Sequence, residues 1–174
     1  MTDQPKDIVH RDSIREFLRG IEFINPFAVT LTMTSNRFIS HSQNFRHFMN
    51  RLNQSYLRNS YRRYGVRLTV IPIKEENKIV RPHYHCVIDN PYLERNRVFA
   101  NLIRTCWTET SLGQRQIDIQ KMEDFGWIDY MTKVAKKGDI ADSVDWDNVW
   151  VKGCLRNRRL QKVVCNLQIL VRNT

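Results

Sequence analysis

The stretch Arg81-Pro82-His83-Tyr84-His85-Cys86-Val87-Ile88-Asp89 constrains the fold more than any other part of this chain. Its period of two marks a β-strand, in which successive side chains point to opposite faces of a sheet. His83, His85 and Val87 therefore share one face, and Tyr84, Cys86 and Ile88 share the other, which is the core side. Two imidazoles side by side on a rigid strand can hold one cation between them. A His-x-His pair in isolation reads more readily as two partly buried, hydrogen-bonded histidines, so its meaning depends on the rest of the chain.

A second constraint lies downstream. The periodicity predicts a helix from about Asp124 to Lys137, ended by Gly138. At 100° per residue, Trp127, Ile128, Met131, Val134 and Ala135 form its apolar stripe, while Tyr130, Lys133 and Lys137 line another side with Gly126. Tyr130 and Lys133, three apart, are neighbours on one helix face. A tyrosine hydroxyl has a reference pKa of about 10, so it attacks well only when cationic groups or a metal-polarised electrophile assist it. Without such a setting, Tyr130 is an amphipathic-helix residue with its hydroxyl in water and Lys133 a solvated charge.

The remaining elements read as strands separated by helices. Phe27 to Thr34 alternates cleanly, with Phe27, Val29, Leu31 and Met33 opposite Ala28, Thr30, Thr32 and Thr34. Residues 43 to 64 read as one long helix, apolar along Phe45, Phe48, Met49, Leu52 and Tyr56, with His47, Arg51, Arg58 and Arg62 on its other side. Val66 to Ile73 is a strand, and Glu75-Glu76-Asn77-Lys78 begins the turn after it. A helix from about Leu93 to Thr110 turns Val98, Phe99, Leu102, Ile103 and Cys106 inward; Gln114 to Gln120 is a fourth strand, and Asn166 to Val171 a further one. The expected class is α+β, an antiparallel central sheet of about five strands with helices packed on it. Residues 1–25 form an irregular or partly helical lead-in, and 26–174 a single domain in which 139–174 is a basic C-terminal extension. The segment from Asp139 to Arg159 reads either as a loop over the site or as part of that extension.

A formal net charge of +10 and a pI near 9.8 point to a polyanionic partner, since each Lys or Arg set against a phosphate releases condensed counterions. There is no apolar run of membrane-spanning length, and Met1 to Asp7 is too polar for a signal peptide. Cys86, Cys106, Cys154 and Cys165 are scattered without a Cys-x-x-Cys pair, as expected of reduced thiols in an intracellular protein. No Gly-x-x-x-x-Gly-Lys-Ser/Thr helicase signature occurs.

Taken together, three ordered motifs resemble those of single-tyrosine endonucleases of the HUH superfamily, in particular the rolling-circle replication initiator (Rep) group. They are the apolar-threonine strand Phe27-Ala28-Val29-Thr30-Leu31-Thr32-Met33-Thr34, the pair in His83-Tyr84-His85, and Tyr130-x-x-Lys133. The middle residue of the histidine motif is aromatic here, where the family favours an aliphatic one. The resemblance implies a ferredoxin-like, RRM-like fold and a Mg2+ or Mn2+ ion held by His83, His85 and a third ligand. Glu75 matches the third position best, with Glu76 the alternative; such a mixed N/O site leaves positions for phosphate oxygens and water.

The implied activity is metal-dependent, site-specific nicking of single-stranded DNA at an origin hairpin or nick site. Tyr130 would form a 5′-phosphotyrosine and initiate rolling-circle replication, assisted by Lys133. Thr30, Thr32, Arg51, Arg58 and Lys137 are further candidates for DNA contact. A host helicase and polymerase would be partners, in the cytoplasm of a bacterium carrying a phage or plasmid. Transposases and relaxases use the same chemistry and remain alternatives, as does a non-catalytic nucleic-acid-binding module. A cupin-like metal enzyme would want a third histidine downstream, and none follows His85.

Overall fold

A computed structural model describes residues 14–76, 81–124, 126–134 and 143–152, with 133 and 134 described by their backbone alone. Four strands, β1 (Pro26–Met33), β2 (Val70–Glu75), β3 (His83–Asp89) and β4 (Gly113–Lys121), form one sheet in the order β2-β3-β1-β4, every pair antiparallel. Residues 14–19 form a short helix, α1. The other helices are α2 (His41–Leu57), α3 (Asn59–Tyr64), α4 (Asn96–Thr108) and α5 (Gly126–Val134). The order β1-α2-α3-β2-β3-α4-β4, with β1 and β3 central, is the ferredoxin-like arrangement. Four strands stand where about five were expected, and the stretch from Asn166 to Val171 lies outside the described residues.

Strand alternation divides the molecule into two cores. Phe27, Val29, Leu31 and Met33 of β1, with Tyr84, Cys86 and Ile88 of β3, face α2 and α4 and pack against Phe45, Phe48, Leu52, Phe99, Ile103 and Trp107. On the other face, Ala28, Ile71, Ile73 and Val87 meet α1 through Ile14, Phe17 and Leu18, the segment after it through Ile21, and α5 through Ile128 and Met131. The lead-in thus ends in a helix that completes the second core. Arg19 pairs with Asp129 at 2.8 Å and Arg15 Nε donates to Thr132 Oγ1 at 2.8 Å, so α1 also holds α5 by polar contacts.

Several boundaries differ from the sequence reading. The expected single helix over 43–64 is two helices. α2 starts at a capping box, in which Ser40 Oγ accepts from Gln43 N and Gln43 Oε1 accepts from Ser40 N, both at 3.1 Å. It ends where Arg58 takes φ 49° and ψ −115°, and α3 begins immediately after. In α4, Val98 is turned outward, 55% exposed. Trp107, which the sequence reading did not count, takes an inward place with its Nε1 donating to Thr32 O at 3.0 Å. Phe99, Ile103, Cys106 and Trp107 follow helical spacing, and Val98 sits about 100° from Phe99 around the axis. β2 starts at Val70 and runs to Glu75, so Glu75 is a strand residue and not the start of the turn.

The chain after α5 returns to the outer edge of the sheet. Val70 and Trp150 exchange backbone hydrogen bonds of 2.7 and 3.0 Å, Asp145 N donates to Pro72 O at 3.0 Å, and Val144 forms an antiparallel bridge with Ile73. Proline cannot donate to a ladder and is tolerated on an edge strand, which is where Pro72 lies.

Candidate metal centre and nucleophile helix

The antiparallel registers decide which side chains meet. Glu75 lies opposite His83, and His83 opposite Thr32; one row further along, Ile73, His85, Thr30 and Asp118 are aligned across all four strands. Residues aligned in this way put their side chains on the same face. The carboxylate, both imidazoles and both threonines are therefore presented together, on the side of the sheet that also carries α5.

At the centre three acceptor atoms converge. His83 Nε2 is 3.0 Å from His85 Nε2 and 3.0 Å from Glu75 Oε2, and His85 Nε2 is 3.3 Å from Glu75 Oε2. Among the described residues this is the one cluster of three His, Cys, Asp or Glu side chains able to hold a metal ion. Adjacent corners of an octahedron with bonds of about 2.1 Å lie roughly 3 Å apart, so the spacing fits a small divalent cation. Glu76 points elsewhere, to Lys74 at 3.2 Å and His41 at 3.6 Å, so of the two carboxylates considered Glu75 is the one at the cluster.

The histidines are oriented from behind. His83 Nδ1 lies 2.8 Å from the carbonyl of Arg81, which can only accept, so Nδ1 carries the proton and Nε2 is free to bind. His85 Nδ1 lies 3.1 Å from Thr30 Oγ1; when Nε2 serves as a ligand, Nδ1–H donates to that hydroxyl. Such partners fix the tautomer and ring angle of a metal-binding histidine. Burial, and next the neighbouring His83, lower the pKa of His85, against a smaller opposing effect of Glu75. The neutral, ligating form is thereby favoured at neutral pH.

Tyr130 stands beside this cluster. Its ring stacks on Trp127 with centroids 5.1 Å apart and planes at 23°, and Trp127 in turn meets His85 edge-on at 5.5 Å. Trp127 Nε1 donates to Cys86 O at 3.2 Å, and Ile128 and Met131 are fully buried, so α5 is fixed to β3 from below while Tyr130 stays 47% exposed. Lys133 follows Tyr130 by one helical turn, placed by the backbone of α5; Lys137 lies outside the described residues.

The other DNA-contact candidates divide. Thr30 sits behind His85, and Thr32, 8% exposed, lies beside His83 in register. Arg51 and Arg58 lie on the helix layer across the sheet, away from the metal cluster, with Arg51 bridged to Glu109. The sequence reading missed two contributors. Trp127 was counted only as part of an apolar stripe, although its spacing of three from Tyr130 carried the signal of contact. Thr30 as partner of His85 had no signal before the β1–β3 register was known.

A family comparison matches residues 26–163, most of the chain, to the ORF2 family of replication-associated proteins, and the protein belongs to that family. Neither the curated proteins nor the solved structures gave a match. No helix among the described residues is long and apolar enough to cross a membrane.

Proposed function

We propose that this protein is a Rep-type initiator of the HUH class, a metal-dependent nickase and strand-transferase acting on single-stranded DNA through Tyr130. The observation that carries the reading is the convergence of Glu75, His83 and His85 within 3.3 Å of one another, with the Tyr130 ring against His85. Family membership favours replication over transposition or conjugation as the use of this chemistry.

Glu75, His83 and His85 would hold a Mg2+ or Mn2+ ion. Such a cation, when bound, neutralises charge on a scissile phosphate and makes its phosphorus more electrophilic. Thr30 and the Arg81 carbonyl keep the two imidazoles aimed. Trp127 limits the swing of the Tyr130 ring, so the hydroxyl needs little reorganisation to align with the leaving oxygen.

In the first step Tyr130 Oη bonds to phosphorus, the bond from phosphorus to O3′ breaks, and the proton lost by the tyrosine is matched by one gained at the leaving 3′-hydroxyl. Lys133 assists by stabilising the tyrosinate or protonating that oxygen. The 5′-phosphotyrosine conserves the bond, and attack by a 3′-hydroxyl later releases Tyr130 and rejoins the strand. A host helicase would unwind the duplex, and a host polymerase would extend the freed 3′-hydroxyl.

The test is incubation with a library of single-stranded oligonucleotides plus Mn2+, resolved on a denaturing gel. A protein–DNA adduct absent from Tyr130→Phe supports the reading. Binding across the library with no adduct would replace it with a non-catalytic binding module.

A further inference from the structure

The helices on the far side of the sheet carry a charge pattern that the metal centre leaves unused. From His41 to Tyr64 the chain has five arginines, Arg46, Arg51, Arg58, Arg62 and Arg63, and no aspartate or glutamate; α4 adds Arg97 and Arg104, again with no acid. A merely solvated helix face usually intersperses both signs. An open cleft of about 620 Å³ runs beside the junction of α2 and α3, lined by Arg51, Gln54, Ser55, Arg58, Asn59 and Arg62. Every one of these side chains carries an N–H or O–H donor, and none is a carboxylate or an aromatic ring.

The guanidinium groups differ in their commitments. Arg51 is bridged to Glu109 at the end of α4, and Arg46 reaches Asp147 at 3.9 Å. Among the described residues neither Arg58 nor Arg62 has an acidic partner. Arg58 sits at the helix break with φ 49°, a left-handed backbone that arginine seldom adopts. Backbone of this kind clusters at ligand clamps.

We propose that this cleft and its flanking helix face form a second DNA site, which grips the phosphate backbone of duplex adjoining the single strand cut at the metal centre. The identity of the polymer rests on the proposed function; the site itself rests on the cleft. Donors without aromatic platforms suit phosphates and not unpaired bases, which are held by stacking. Duplex presents the denser row of phosphates, one charge per roughly 1.7 Å of axis. Because α2, on which α3 packs, covers one face of the sheet and the Glu75 cluster occupies the other, a stem and its single-stranded arm would engage opposite sides of the same domain.

Fluorescence anisotropy over a salt series tests this, with a DNA hairpin bearing a single-stranded tail and with the tail alone. The double variant Arg58→Gln with Arg62→Gln should bind the hairpin about tenfold more weakly, or worse, at low salt. Its slope of log affinity against log salt should shrink by roughly 1.8, which is 0.9 for each of two phosphate contacts. Tail binding should be unchanged, and the Arg58→Lys/Arg62→Lys double variant should retain the wild-type slope. An unchanged slope on the hairpin, or an equal loss on the tail alone, overturns the proposal. If circular dichroism shows the double variant misfolded, Arg62→Gln alone decides, with a slope change of roughly 0.9 expected and no change overturning it. Nicking of the tail is scored in parallel: cleavage with an unchanged slope sinks only the duplex site, whereas a changed slope without cleavage anywhere sinks only the nickase reading.

Discussion

The ring of Tyr130 meets the imidazole of His85 edge to face, with centroids 5.5 Å apart and planes at 85°. The residue proposed to attack and a residue proposed to bind metal therefore share one wall. Tyr130→Phe keeps that contact and removes only the hydroxyl. It should abolish covalent adduct formation while leaving DNA affinity nearly unchanged; nicking at the wild-type rate would move the nucleophile elsewhere.

Glu75 and Glu76 are adjacent, yet only the first lies at the histidine pair. Calorimetric titration with Mn2+ should therefore separate their variants. Glu75→Gln should weaken binding severely, and Glu76→Gln should titrate like wild type. Equal losses from both substitutions would remove Glu75 from the metal site.

Thr30 offers a cleaner probe, because it orients His85 without approaching the cluster. Thr30→Val preserves shape and strand propensity and deletes the 3.1 Å contact to Nδ1. Loss of such a supporting partner typically costs about 10–100-fold in metal affinity, and Thr30→Ser should restore most of it. Wild-type affinity in the valine variant would leave Thr30 with a packing role alone.

Asp89 is a test of the fold. Its buried carboxylate accepts from Ile24 N at 3.0 Å and Asn25 N at 2.8 Å, fastening the entry to β1 onto the end of β3. Asp89→Ala should cost about 2–3 kcal/mol, the usual scale for hydrogen bonds to a charged group, read as a lower urea midpoint at unchanged slope.

Stability should also fall in alkali. Burial raises the Cys86 thiol well above its ordinary 9.0 and the Tyr84 hydroxyl above its ordinary 10.0; the nearby Asp145 acts in the same direction. The folded chain keeps protons that the unfolded chain releases, so stability is complete below about pH 9 and is lost as pH rises beyond it. Tyr84→Phe should flatten the part of this loss above about pH 10, measured as urea midpoints across the range. An unaltered profile would place the alkaline sensitivity in other groups.

Much of the sheet was legible because alternation is a direct record of two-sided burial. The faces of β1 and β3 follow from Phe27 to Met33 and from His83 to Ile88 alone, and the helix around Ile128 and Met131 from its spacing. Other features depend on tertiary partners. The break at Arg58 has no local signal, since no glycine or proline stands there. Glu75 looked like a turn residue because its strand character comes from pairing with His83, and Val98 looked inward because apolarity does not fix helical phase. Residues 143–152 were opaque for the same reason: Val144 and Trp150 find their places only against β2.

That last contact also governs how the molecule behaves among its own copies. A bare outer strand invites another chain to extend the sheet, but the backbone of Val70 is already engaged by Trp150 and that of Pro72 by Asp145. At the opposite margin, β4 exposes Arg115, Asp118 and Lys121 along its length, charges that discourage edge-to-edge association. With one rim covered by its own chain and the other guarded by charge, neither margin of the four-stranded sheet offers a bare, uncharged strand for a second copy to extend.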